Sequence, residues 1–107
     1  MRRLLALTPP PDGVFCCNDQ IAMGAMRAIL EAGLKIPQDV AIVGCGNVHF
    51  DDLLMVPLTS IDQDTNGLGL SAARLAMSII KKKAEVAVPK SLLMQAKLVV
   101  RASSRRC

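Results

Sequence analysis

Two rhythms of apolar and polar positions run along the chain. Residues 14–17 (Val-Phe-Cys-Cys) and 40–45 (Val-Ala-Ile-Val-Gly-Cys) are short unbroken apolar runs, as in parallel strands covered on both faces. Between them, residues 18–32 place apolar side chains three and four apart, the period of a helix. Asn18 or Asp19 supplies its N-cap and Gly33 its C-terminal stop. Residues 58–63 alternate Leu58, Ser60 and Asp62 against Thr59, Ile61 and Gln63, which predicts a third strand. Residues 51–55 predict a short helix before Pro57, residues 65–83 a second long helix, and residues 92–94 and 97–101 two short strands. Residues 2–7 read as the last turns of a helix, set apart by the breaker run Thr8-Pro9-Pro10-Pro11-Asp12-Gly13. Strands alternating with helices predict an α/β fold, a three-layer parallel sheet flanked by helices.

The two long helices carry more apolar surface than such a sheet can cover. On the first, Ile21, Ala25, Ala28 and Ile29 form a stripe suited to the sheet. Met23, Met26 and Leu30 form a second stripe, leaving Gln20, Arg27 and Glu31 as the main polar positions. On the second, Leu68, Ala72, Leu75, Ala76 and Ile79 form one face, which Ala73, Met77 and Ile80 widen. A helix apolar on two sides is normally buried on two sides. With so few elements in 107 residues, a further surface is implied, from another lobe or another chain.

Composition narrows the possibilities. The chain is 51% hydrophobic with only two aromatics, Phe15 and Phe50, so a complete sugar pocket with an aromatic wall is not expected within it alone. No apolar run approaches the roughly 20 residues of a membrane span, and the basic start lacks a signal-peptide core. A cytoplasmic protein with no membrane association is the expectation. Cys16, Cys17, Cys45 and Cys107 show no C-x-x-C spacing, and His49 has no patterned partner. Cys16, Cys17 and Cys45 read as buried reduced thiols and Cys107 as exposed. The net charge of +4 divides unevenly: residues 1–64 hold four Lys/Arg and eight Asp/Glu, residues 65–107 nine and one. The cations of the second part are scattered without interleaved aromatics, so they read as a solvated surface rather than a nucleic-acid interface.

In open α/β sheets ligands bind at the carboxyl ends of parallel strands. Three such ends can be named: Asn18-Asp19, Gly46-Asn47 and Gln63-Asp64. The amides of Asn18 and Gln63 both donate and accept, which suits a ligand rich in hydroxyls; on spacing alone, helix capping is the weightier explanation of Asn18 or Asp19. No nucleophile motif, phosphate loop or paired histidine is present. Asp51-Asp52, and Asp62 with Asp64, read as solvated carboxylates rather than metal ligands. No enzyme, metal or cofactor is expected.

Residues 14–63, VFCCNDQIAMGAMRAILEAGLKIPQDVAIVGCGNVHFDDLLMVPLTSIDQ, closely resemble the C-terminal half of the effector-binding domain of LacI-family transcriptional repressors. The resemblance spans about residues 4–103 and is most specific in Asn18-Asp19-Gln20 to Gly33-Leu34, Val40 to Gly44, and Pro57-Leu58-Thr59-Ser60-Ile61-Asp62-Gln63. It implies that residues 1–107 are a C-terminal fragment of an effector-binding and dimerisation domain, part of a periplasmic-binding-protein-like lobe. Residues 65–83 would be the crossover helix belonging to the other lobe. It implies effector contacts at Asn18, Gly46, Asn47, Gln63 and Asp64, with Asp19 as helix cap. A homodimer interface would form from Met23, Met26, Leu30, Leu53 and Leu54, and DNA would be reached only through a missing N-terminal helix-turn-helix domain.

The sequence departs from the family pattern after the second strand. Where members usually read Val-Gly-aromatic-Asp-Asp, this chain has Val43-Gly44-Cys45-Gly46-Asn47. The carboxylate that grips sugar hydroxyls has become Gly46, removing a charge-assisted hydrogen bond of about 1.5–3 kcal/mol. The expected effector is still a sugar or sugar-like molecule. Two competing readings are a fragment of a periplasmic sugar-binding transport protein and a small flavodoxin-like enzyme. The regulator is favoured by the Pro-Leu-Thr-Ser-Ile-Asp-Gln stretch and by Pro37-Gln38-Asp39-Val40. Without its native lobe, the crossover helix is expected to fold back on its own sheet or to exchange with a neighbouring chain.

Overall fold

The short apolar runs become the centre of a sheet. A computed structural model describes residues 1–81 and 91–106. In chain order the elements are α1 (Arg2–Leu5), β1 (Gly13–Phe15), α2 (Asp19–Glu31), β2 (Ala41–Cys45), β3 (Thr59–Asp62), α3 (Thr65–Lys81) and β4 (Lys97–Val99), then a 3-10 turn at Ala102–Ser104. The strands lie in the order β1-β2-β3-β4. The first three are parallel and β4 runs antiparallel to β3, so the sheet is mostly parallel, as an α/β chain predicts.

Register assigns the faces. Val14 pairs with Ile42, and Gly44 with Ser60, so these residues share one face, which α2 covers. Ile29, Ile42 and Leu58 are fully buried there, with Ala22, Ala25, Met26 and Val40 around them. Phe15, Val43, Cys45, Ile61 and Leu98 share the opposite face. Phe15 is 60% exposed on it, and Leu98 nearly as much. The first apolar run is therefore an edge strand open on one face, not one covered on both.

α2 is rotated from the expected stripe. Its inward positions are Asp19, Ala22, Ala25, Met26 and Ile29, while Ile21 is exposed. The spacing is properly helical, but its first member is a carboxylate, which a reading of apolar side chains alone skips. Gly33, at φ +76°, ends the helix in the left-handed region.

Other expectations needed correction. Residues 51–55 form turns, not a helix, and residues 92–94 form no strand. Cys17 is exposed and Cys45 half-buried. Residues 82–83, the predicted end of the second long helix, and Cys107 lie outside the described residues. α3 does not fold back: it buries none of its residues. The radius of gyration is 19.0 Å and the longest dimension 62 Å, against about 13 Å for the radius of a compact domain of this length.

Candidate functional site

All five residues expected at the effector site lie at the carboxyl edge of the parallel strands. Asn18 follows β1, Gly46 and Asn47 follow β2, and Gln63 and Asp64 follow β3. Asn18 sits in extended backbone and its Oδ1 accepts the Ile21 N–H at 2.8 Å. The helix cap is thus Asn18, and Asp19 does other work. Asp19 is almost completely buried. Its Oδ1 accepts the Ser60 hydroxyl at 2.6 Å and its Oδ2 the Val48 N–H at 3.2 Å. Ser60 Oγ in turn accepts the Asn47 N–H at 3.0 Å.

Two glycines make room for this carboxylate. A Cβ on Gly44 would collide with Asp19 Oδ1, and one on Gly46 would approach Oδ2 to 3.0 Å. Gly46 also has φ +131°, a conformation reserved for glycine. The position where family members carry a carboxylate is here a backbone bend pressed against a different carboxylate, that of Asp19.

Asn47 is tied at both ends of its amide. Its Nδ2 donates to Asp62 Oδ2 at 3.1 Å, and its Oδ1 accepts from Arg101 Nη2 at 2.8 Å. Arg101 also donates to the Leu58 carbonyl at 2.8 Å and pairs with Asp52, binding the segment after β4 to the loop before β3. Asp64 caps α3, its Oδ1 accepting the Gly67 N–H at 3.1 Å. Among the described residues, the Asn18 amide nitrogen and the Gln63 side chain make no hydrogen bond. Each of these amides is able to donate to a hydroxyl.

Asp51 was expected in solvent and is fully buried, and among the described residues neither carboxylate oxygen has a hydrogen-bond partner. Burial pushes its pKa up to about 6, the neighbouring Asp19 adds to the rise, and Arg101, with Nη1 at 3.9 Å, opposes it. Sequence reasoning gave no site role to Ser60 or Arg101 and placed Asp51 in solvent. Only Arg101 left a signal, as a lone charge directly after the apolar run Leu98-Val99-Val100. No group of three or more His, Cys, Asp or Glu residues suited to a metal occurs among the described residues, and no helix among them is long and apolar enough to cross a membrane.

The surface expected to dimerise is a separate feature. Met23, Met26, Leu30, Leu54 and Val56 line an apolar groove of about 340 Å³. Leu53 beside it is 81% exposed, and Met23 and Leu30 are partly exposed. Met26 forms the floor of the groove and also belongs to the core, because it lies on the inward stripe of α2.

A family described as "Periplasmic binding protein-like domain" matches residues 1–104. The chain is 41% identical over 106 residues to the HTH-type transcriptional repressor PurR of Mannheimia succiniciproducens, covering 99% of this chain and 31% of that protein. A solved complex of the transcriptional regulator CelR with cellobiose superposes with a TM-score of 0.88 at 32% identity, over 96% of this chain and 31% of that one. The lac repressor dimer bound to operator and the anti-inducer ONPF superposes at 0.79 with 33% identity, over 88% and 32%. The chain thus spans about a third of the length of these relatives.

Proposed function

The chain belongs to the periplasmic binding protein-like family, among the LacI-type transcriptional regulators, and from that premise we propose that it is the effector-sensing and dimerisation portion of such a regulator. The effector is a sugar or sugar-like molecule held at the carboxyl edge of the sheet. Asn18 and Gln63 offer amides that no described residue engages, Gly46 offers backbone, and Asn47 and Asp64 hold the two loop ends in shape. What carries this reading is the alignment of three parallel strand ends, with two amides uncommitted among the described residues, in a chain that superposes closely on a cellobiose-bound regulator.

In the proposed working protein, α3 crosses to a second lobe and the groove along Met23, Leu30, Leu53 and Leu54 meets a second copy. Effector binding alters the relation of the lobes and so the affinity for operator DNA, which a separate domain reads in the cytoplasm. One half of a cleft binds weakly, so the test is sensitive to millimolar affinity. Titrating cellobiose and glucose into the protein should shift the amide resonances of Asn18, Gly46 and Gln63 saturably. Asn18→Ala should abolish the shifts while leaving the fold intact. Saturable shifts confined to other surfaces, or none with any mono- or disaccharide, would remove the sugar assignment. Light scattering that finds only monomer at micromolar concentration would remove the dimer.

A further inference from the structure

The loop of residues 46–58 starts at the candidate cleft with Gly46 and Asn47 and passes the apolar groove with Leu53 and Leu54. Midway it sends one side chain inward. Asp51 is wholly buried, and neither of its oxygens accepts a hydrogen bond from a described group. Around it, α2 contributes Asp19, within hydrogen-bonding reach. The segment after β4 contributes Arg101, at 3.9 Å. β3 contributes the Ser60 hydroxyl, already donated to Asp19, and at its far end Asp62, engaged by Asn47 and by the Asp64 N–H. On the loop itself, Asp52 is exposed and pairs with the outer edge of Arg101, and His49 is exposed.

An ionised Asp51 in this setting is favoured only by the nearby Val48 N–H, already given to Asp19, and by Arg101 at 3.9 Å, and it faces a second buried carboxylate. A protonated Asp51 has one O–H to give, and Asp19 is the acceptor beside it. Asp19 in its charged form then receives three donors: Ser60, the Val48 amide and Asp51.

We infer that Asp51 and Asp19 share a single proton, and that this acid–carboxylate bond latches the 46–58 loop against the start of α2. Loss of the proton releases the latch. The loop then loosens at both ends, at Gly46 and Asn47 on one side and at Leu53 and Leu54 on the other. That the two ends serve an effector and a partner rests on the function proposed above; the latch does not. The raised pKa of Asp51, about 6, sets the latch closed in mild acid and open above neutrality.

The test needs no effector. The carboxyl carbon-13 shift of Asp51 and the hydrogen-exchange protection of residues 46–58 are followed from pH 4 to 8 in the protein and in its Asp51→Asn and His49→Gln variants. Asp51 should titrate with a midpoint near 6, and protection across the loop should fall several-fold above it. His49→Gln should keep both transitions. Asp51→Asn, whose amide donates to Asp19 at every pH, should keep the loop protected throughout. If Asp51→Asn does not fold, the wild-type midpoint decides. A midpoint near 4, or a loss of protection that vanishes in His49→Gln, overturns the latch. Failure of every sugar to bind would sink the proposed effector and leave this titration as it stands.

Discussion

α2 and α3 are both amphipathic helices rich in Ala, Met, Ile and Leu, yet they meet opposite fates. α2 buries five of its 13 residues, whereas α3 buries none of its 17. Ile29 of α2 is fully enclosed, while Ile80 of α3 is 67% exposed. Their composition does not separate them; the surface available to each does. α2 connects two adjacent parallel strands and must lie across them, so the sheet is its partner. α3 leaves the end of β3, and the chain returns as an antiparallel strand on the same sheet, so α3 is held at its root without being placed over the sheet. Apolar surface left in water costs roughly 25 cal/mol per Å², and α3 is where this chain bears that cost.

The largest test of this contrast is side-chain truncation. Leu58→Ala or Ile29→Ala opens a cavity under α2 and should cost about 2–5 kcal/mol in denaturant unfolding. Leu75→Ala in α3 should cost under about 0.5 kcal/mol in the same chain. Equal losses at both sites would mean that α3 is packed after all.

The buried acid beneath α2 is next in size. A carboxyl whose native pKa lies above its unfolded value binds its proton more tightly when folded. Its contribution to stability is therefore complete below about pH 4 and is lost as pH rises through about 6. The loss is on the order of 2–3 kcal/mol, and thermal melts of Asp51→Asn should show that slope removed.

Glycines give a third comparison. Gly44→Ala drives a methyl into the Asp19 carboxylate, whereas Gly69→Ala meets open space. The first should destabilise by about 1–3 kcal/mol, and the second should stabilise α3 by about 0.5–1 kcal/mol, read as helicity by circular dichroism. Smaller still, Asn18→Ala removes the cap of α2 and should cost about 1 kcal/mol. Asp19→Asn tests the same corner without touching the cap: Asn keeps an acceptor for Ser60 but surrenders the charge. Its midpoint should fall further than that of Asn18→Ala, and the reverse order would mean that the Asp19 charge contributes less than the Asn18 cap.

Much of the architecture was legible in the sequence. The runs at residues 14–17 and 40–45, the Asn18 to Gly33 helix and the three strand ends follow from local chemistry: continuous apolar runs make strands, and an Asn before a helical period makes a cap. The errors share one physical cause. Residues 51–55 have helical spacing, but there Asp51 turns inward to Asp19 and the Asp51 carbonyl accepts from Leu58, so turns replace the helix. α2 was misphased because its inward stripe begins with Asp19, whose burial depends on Ser60, 41 residues away.

By itself, then, the order of residues indicated the three parallel strands, the helix between the first two and the order in which they follow, since these depend on periodicity and neighbours a few positions apart. Tertiary structure alone decided which polar groups are spent inside. It committed Asn47 to Asp62 and Arg101, buried Asp51 against Asp19, and, among the described residues, gave the Asn18 nitrogen and the Gln63 side chain no partner. Whether a buried charge is satisfied depends on donors and acceptors brought from distant segments, and no local pattern records where those will lie.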